Sequence, residues 1–90
     1  MNARASVEIV NERGLHARAS AKFVKLAGTF SAQIQVTREE TTVDALSIMG
    51  LMMLAAGPGA AIEISAEGDD AQSAVAALVH LVEQRFDEDR

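Results

Sequence analysis

The sequence has no cysteine, tryptophan or tyrosine, one proline and only three phenylalanines. Without thiols, neither a disulfide framework nor a thiolate metal site is available, which fits a reducing compartment. With aromatics at 3% but apolar residues at 49%, the core must be aliphatic and rich in alanine, with Phe23, Phe30 and Phe86 as its few large pieces. No apolar run approaches the ~20 residues that span a bilayer, and the first residues lack the basic-then-apolar signature of a secretory signal. A cytoplasmic protein without membrane insertion is the expectation. Basic residues are in deficit, giving a formal net charge of −5. Such a chain is a poor nucleic-acid binder, because phosphate backbones are held by a basic surface. Residues 1–90 read as one small domain, which would bury ~60–65% of the surface of its unfolded chain.

Alternation and helical periodicity then mark out the elements. Ala5, Val7 and Ile9 alternate with Ser6, Glu8 and Val10 as a first strand. Asn11-Glu12-Arg13-Gly14 breaks that pattern and hands over to a helix whose inward stripe is Ala19, Phe23, Leu26 and Ala27, with Lys22 and Lys25 turned to solvent. Gly28 reads as its C′ glycine. Ala32, Ile34 and Val36 define a second strand, Arg38-Glu39-Glu40 a turn, and Thr41 to Asp44 a short third strand. Ser47 caps a short helix beginning at Ile48, Gly57-Pro58-Gly59 is a loop, and Ile62, Ile64 and Ala66 mark a fourth strand. Asp69 with Gln72 reads as a capping box for a last helix, with Asp70 complementing its dipole. That helix carries Ala71, Val75, Leu78, Val82 and Phe86 inward and His80 outward. Asp87 to Arg90 should fray. The order βαββαβα predicts an α+β open-faced sandwich: a four-stranded, mainly antiparallel sheet with three helices on one face.

Chemistry concentrates at Gly14-Leu15-His16-Ala17-Arg18. His16 falls at a helix start, where unpaired backbone N–H groups and the positive end of the helix dipole make an anion site. The amides of Ala17 and Arg18 belong to that site, and the Arg18 guanidinium is suited to phosphate oxygens. A histidine at a helix terminus is more often an idle capping residue, but here three features point to a phosphoryl group carried on His16. No further carboxylate–histidine pair, metal triad or nucleophile with its base is evident, so neither a metal nor a cofactor is expected, and the protein should not turn over a small substrate alone. In the short helix nearly every side chain is apolar. One reading is a deeply packed helix; the other has Leu51 and Leu54 facing inward and Ile48, Met49 and Met52 forming an exposed patch beside His16, of the kind that meets several partners.

The Gly14-Leu15-His16-Ala17-Arg18 stretch, with Ser47-Ile48-Met49-Gly50 about thirty residues further on, resembles the HPr family, the histidine phosphocarriers of the bacterial phosphotransferase system. The likeness runs from Val7 to about Phe86. It implies the open-faced sandwich, phosphorylation of His16 on Nδ1 by Enzyme I at the expense of phosphoenolpyruvate, and delivery to EIIA-type proteins, by a monomer. It further implies that Arg18 steadies the phosphate and that Ala21, Lys25, Ile48, Met49 and Met52 meet partners. Ser47 matches the regulatory phosphorylation site of bacteria that possess HPr kinase/phosphorylase. Ala19 stands where the family commonly has proline, which should cost the first turn some rigidity. An alternative use of the same surface is a regulatory binding module of the nitrogen-type branch, switched by phosphorylation.

Overall fold

A computed structural model describes all residues, 1–90. The first strand, β1 (Asn2–Glu8), is followed by α1 (Ala17–Ala27), β2 (Gln33–Arg38), β3 (Thr41–Asp44), α2 (Ile48–Met53), β4 (Ala61–Glu67) and α3 (Ala71–Glu83), and a 3₁₀ turn (Arg85–Asp87) closes the chain. The strands lie in the order β1-β4-β2-β3, with every pairing antiparallel. This is the expected α+β open-faced sandwich. Val7, Ile34, Val36, Ile62, Ile64 and Ala66 point from the sheet into one apolar core, where they meet Phe23 of α1, Leu51 of α2 and Leu78 and Val82 of α3. The alternate residues, among them Arg4, Ser6 and Gln35, are exposed on the bare face. Strict period-two alternation produces this division, because a slip of one residue would invert every side chain.

Local chemistry departs from the sequence reading at several joints. β1 starts at Asn2, before Ala5, because Asn2 through Arg4 pair with Ser65 through Glu67 and complete the ladder. Gly28 caps α1 in right-handed geometry (φ −67°, ψ −11°), so its glycine is not required by a left-handed turn. The last helix is capped by Asp70, not Asp69, and its carboxylate makes no bond to its own helix. It accepts instead from the backbone amides of Ser31 (2.9 Å) and Ala32 (2.8 Å), pinning the α1–β2 connection to the start of α3. The Ser31 amide bond, opposed by desolvation and reinforced by the Ala32 amide and Ser31 hydroxyl, lowers the Asp70 pKa. The two-residue turn Glu39-Glu40 closes the β2–β3 hairpin without glycine, and Glu39 takes the left-handed conformation (φ 55°) that Asn-Gly would adopt more easily.

Ser47 caps α2 as expected, its hydroxyl accepting from the Gly50 amide at 2.9 Å. The glycine at 50 serves this turn: a Cβ there would come within 3.0 Å of both Ser47 Oγ and Val43 Cβ. Leu51 and Leu54 are buried, whereas Ile48, Met49, Met52 and Met53 are exposed, with Leu46 beside them in sequence. α2 packs on α1 and β3. No helix is long and apolar enough to cross a membrane.

Candidate functional site

The loop before α1 is shaped by Gly14. Its φ of +63° already favours glycine, and a Cβ would lie 2.2 Å from the carbonyl oxygen of Ala56. That same oxygen accepts from the Leu15 amide at 3.0 Å. Leu15 is buried, and Ser20, also buried, returns its hydroxyl to the Leu15 carbonyl at 3.1 Å. The turn therefore has one way to enter the helix, and it delivers His16 to the N-cap position of α1 in extended geometry (φ −74°, ψ −179°).

At this position His16 makes no side-chain capping bond, and the first turn holds no acidic residue. No carbonyl or side chain outside the helix accepts from the Ala17 or Arg18 amides. Both residues are exposed, and Arg18 is in none of the ion pairs. The mouth of α1 thus offers free backbone donors and an uncommitted guanidinium, as an anion site needs. Ala19 is fully buried. Ala21 and Lys25 are exposed on α1.

The end of the chain alters this picture. Asp87 to Arg90 were expected to fray, yet Glu88 lies against the site: its Oε2 is 2.5 Å from His16 Nε2, and its Oε1 accepts from Asn11 Nδ2 at 3.0 Å. His16 is thus not uncovered; its side chain retains 22% exposure, and Glu88 retains 14%. Nδ1 of the ring makes no hydrogen bond within the protein. Asn11 is fully buried and donates from the same Nδ2 to the Gly14 carbonyl at 2.9 Å. Two acceptors facing one nitrogen fix which way the amide points, and its Oδ1 is left without a partner.

Sequence periodicity missed this arrangement because the helix stops at Glu83 and Phe86 is reached by another route. Arg85, Phe86 and Asp87 are consecutively left-handed (φ 59°, 53° and 63°). Such residues cost roughly 1–2 kcal/mol each when not glycine. What holds them is Phe86, fully buried, and Lys22, whose Nζ donates to the Phe86 carbonyl at 2.8 Å. Lys22 is therefore a tail anchor and not a solvated charge. The available signal was a lone aromatic, Phe86, near a chain end among charged residues, where solvent alone would not favour it.

Desolvation in its seat raises the Glu88 pKa, but hydrogen bonds from Asn11 and His16, with the charges of His16 and Arg13, outweigh it and leave the carboxyl below its ordinary 4.5. For a depressed carboxylate the sign is fixed: its stabilisation is complete above the ordinary value and is lost as pH falls through the lowered one. Glu88 should therefore stay seated against His16 and Asn11 at neutral pH and let go of them only as pH falls below the ordinary carboxylate range, with Phe86 still buried. Amide exchange at Glu88 and Asp89 followed against pH checks this; detachment already at about pH 6 would contradict it.

The family model described as "PTS HPr component phosphorylation site" matches residues 3–84. The phosphocarrier protein HPr of Cupriavidus necator is 51% identical over 80 residues, 89% of this chain and 90% of that protein. The phosphocarrier protein NPr of Shewanella violacea is 43% identical over 82 residues, 91% of this chain and 90% of that one. Among solved structures, HPr-C-His from Thermoanaerobacter tengcongensis superposes with a TM-score of 0.93 at 45% identity, covering 98% of this chain and 99% of that one.

Proposed function

The chain belongs to the HPr family, the phosphocarriers of the phosphotransferase system, and from that premise we propose that His16 accepts a phosphoryl group from Enzyme I charged by phosphoenolpyruvate and yields it to an EIIA-type protein. The observation that carries this reading is a ring whose Nδ1 is unengaged, set at a helix mouth with free amides and an unpaired Arg18 two residues on. Neutral imidazole is nucleophilic near pH 7 without a dedicated base. The P–N bond it forms is reactive enough to be passed on. Arg18 and the Ala17 and Arg18 amides stabilise the bound phosphoryl group modestly, since a carrier that gripped it would not release it. The protein is then a covalent relay and not a stand-alone enzyme, with most transition-state stabilisation supplied by the partners.

Docking of those partners is assigned to Ile48, Met49 and Met52 with Ala21 and Lys25. The support is exposure: Met49 shows 73% of its surface and Met52 42%, although an isolated domain gains by burying such side chains. Flexible thioethers suit a face that must fit more than one partner. Ser47 borders this patch and is assigned as a regulatory phosphorylation site for HPr kinase/phosphorylase. A phosphate there adds up to about two negative charges beside the apolar patch, enough to alter docking without refolding α2.

A second reading, a regulatory module of the nitrogen-type branch, draws support from the NPr relative. The higher identity of the HPr relative favours the first. Incubation with Enzyme I and phosphoenolpyruvate should add the mass of one phosphate, labile to acid. No gain would overturn the relay and leave the binding module. For Ser47, HPr kinase should add an acid-stable phosphate absent from Ser47→Ala; otherwise the serine is only a cap, worth about 1 kcal/mol.

A further inference from the structure

Glu88 reaches His16 across 72 positions of sequence, and everything around it fixes that approach. Phe86 is the buried plug, Lys22 holds the Phe86 carbonyl, the three left-handed residues turn the chain, and Asn11 takes the second carboxylate oxygen. A strained and multiply anchored tail that ends on one imidazole nitrogen is not a frayed terminus. Resting on the phosphocarrier reading, we infer that Glu88 is a positioning residue for His16: it keeps the ring hydrogen on Nε2, reserves the Nδ1 lone pair for phosphorus, and stabilises the charge the ring acquires.

A carboxylate has only lone pairs to offer, so the ring nitrogen facing it must carry the hydrogen. Nδ1 is then the acceptor nitrogen, and it is the one with no partner. In the transfer, the Nδ1 lone pair forms the N–P bond while the bond from phosphorus to the donor atom breaks, its electron pair leaving with the donor. The Nε2 hydrogen stays in place, so the ring becomes a cation whose charge lies against Glu88. On delivery the N–P bond breaks, its pair returns to Nδ1, and the ring is neutral again. Because the carboxylate sits on the edge remote from Nδ1, it supports the cation without competing for the site the phosphoryl group takes. The division of labour follows that of carboxylate–histidine pairs in general, where the acid sets tautomer and orientation and does not itself receive the proton.

The test compares the chain with Glu88→Gln and Glu88→Asp as substrates of Enzyme I, and records the imidazole ¹⁵N spectrum of each unphosphorylated protein. Glutamine keeps the shape but loses the charge, and its amide can donate to Nε2 and move the hydrogen to Nδ1. Losing one charge-assisted bond in the transition state predicts a kcat lower by about 10- to 100-fold. KM should stay within about threefold, because the patch assigned to docking is untouched. Aspartate, which retains the charge, should recover part of the rate. In the unchanged protein the spectrum should show Nε2 bearing hydrogen and Nδ1 as the lone-pair nitrogen, and in Glu88→Gln that preference should weaken. An equal or faster rate for Glu88→Gln, or hydrogen on Nδ1 in the unchanged protein, overturns the inference while leaving the carrier reading intact. If the unchanged protein takes no phosphate, the carrier reading fails, and the inferred role fails with it.

Discussion

His16→Ala should lose phosphate acceptance from Enzyme I to background while keeping its fold. The histidine is the nucleophile of the proposed relay, so its removal takes away the atom that forms the bond, and no neighbouring group replaces it. The remaining histidine, His80, is exposed on α3, on the side of the helix away from its buried stripe, and His80→Ala should be phosphorylated normally. The structural cost is small for a specific reason. As N-cap, His16 makes no side-chain bond to the helix, so alanine forfeits no cap. The Glu88 contact that disappears joins two side chains still in touch with solvent, a class of ion pair worth on the order of 1 kcal/mol or less. Mass spectrometry after incubation with phosphoenolpyruvate and Enzyme I, beside a thermal melt, separates the two effects. A phosphate retained in His16→Ala would move the reaction to another residue and refute the assignment.

How far the sequence foretold this site divides along a physical line. Period-two alternation gave the strands, the Ser47 cap was legible from its residue type, and the apolar excess of α2 left a buried helix and an exposed patch both open, between which only the family resemblance pointed to Leu51 and Leu54 turning inward while Met49 and Met52 do not. Each depends on neighbours within a few residues. What escaped notice depends on partners far along the chain. In the sequence Asp70 serves only to complement the α3 dipole, with Asp69 as the cap, yet the carboxylate of Asp70 accepts from the amides of Ser31 and Ala32, 38 to 39 positions away. Lys22 looked solvated because the Phe86 carbonyl that it meets is 64 residues on. The tail itself was misread because three non-glycine residues in left-handed geometry run against propensity, and only tertiary anchoring holds them there. The consequence is more than topological, since the concealed contacts converge on the ring that carries the chemistry.

Phe86→Ala should produce the largest loss of stability of any single tail substitution and should free the tail together with Glu88. Phe86 has no exposed surface, and truncating a buried phenylalanine costs about 3–5 kcal/mol. Relief of the left-handed backbone at Arg85, Phe86 and Asp87 offsets part of this, because a released tail no longer holds that geometry. With the truncation cost at its upper end and the strain of the three residues at its lower end of about 1 kcal/mol each, a net loss of about 2 kcal/mol remains, against a whole-domain stability of about 5–13 kcal/mol at 0.05–0.15 kcal/mol per residue. At roughly 4–8 °C per kcal/mol for a domain of this size, Tm should fall by some 10 °C or more. Release also removes the acceptor from Lys22 and the carboxylate from His16, so phosphorylation should slow as it does in Glu88→Gln. Urea denaturation gives the stability, and trypsin reports the tail directly: cleavage after Arg85 should be slow in the unchanged protein and fast in Phe86→Ala. Phe86→Leu, which refills most of the volume, should recover much of both. If Phe86→Ala unfolds at an unchanged urea midpoint, with Arg85 as protected as before, then Phe86 does not hold the tail, and the path by which Glu88 reaches His16 must be sought elsewhere.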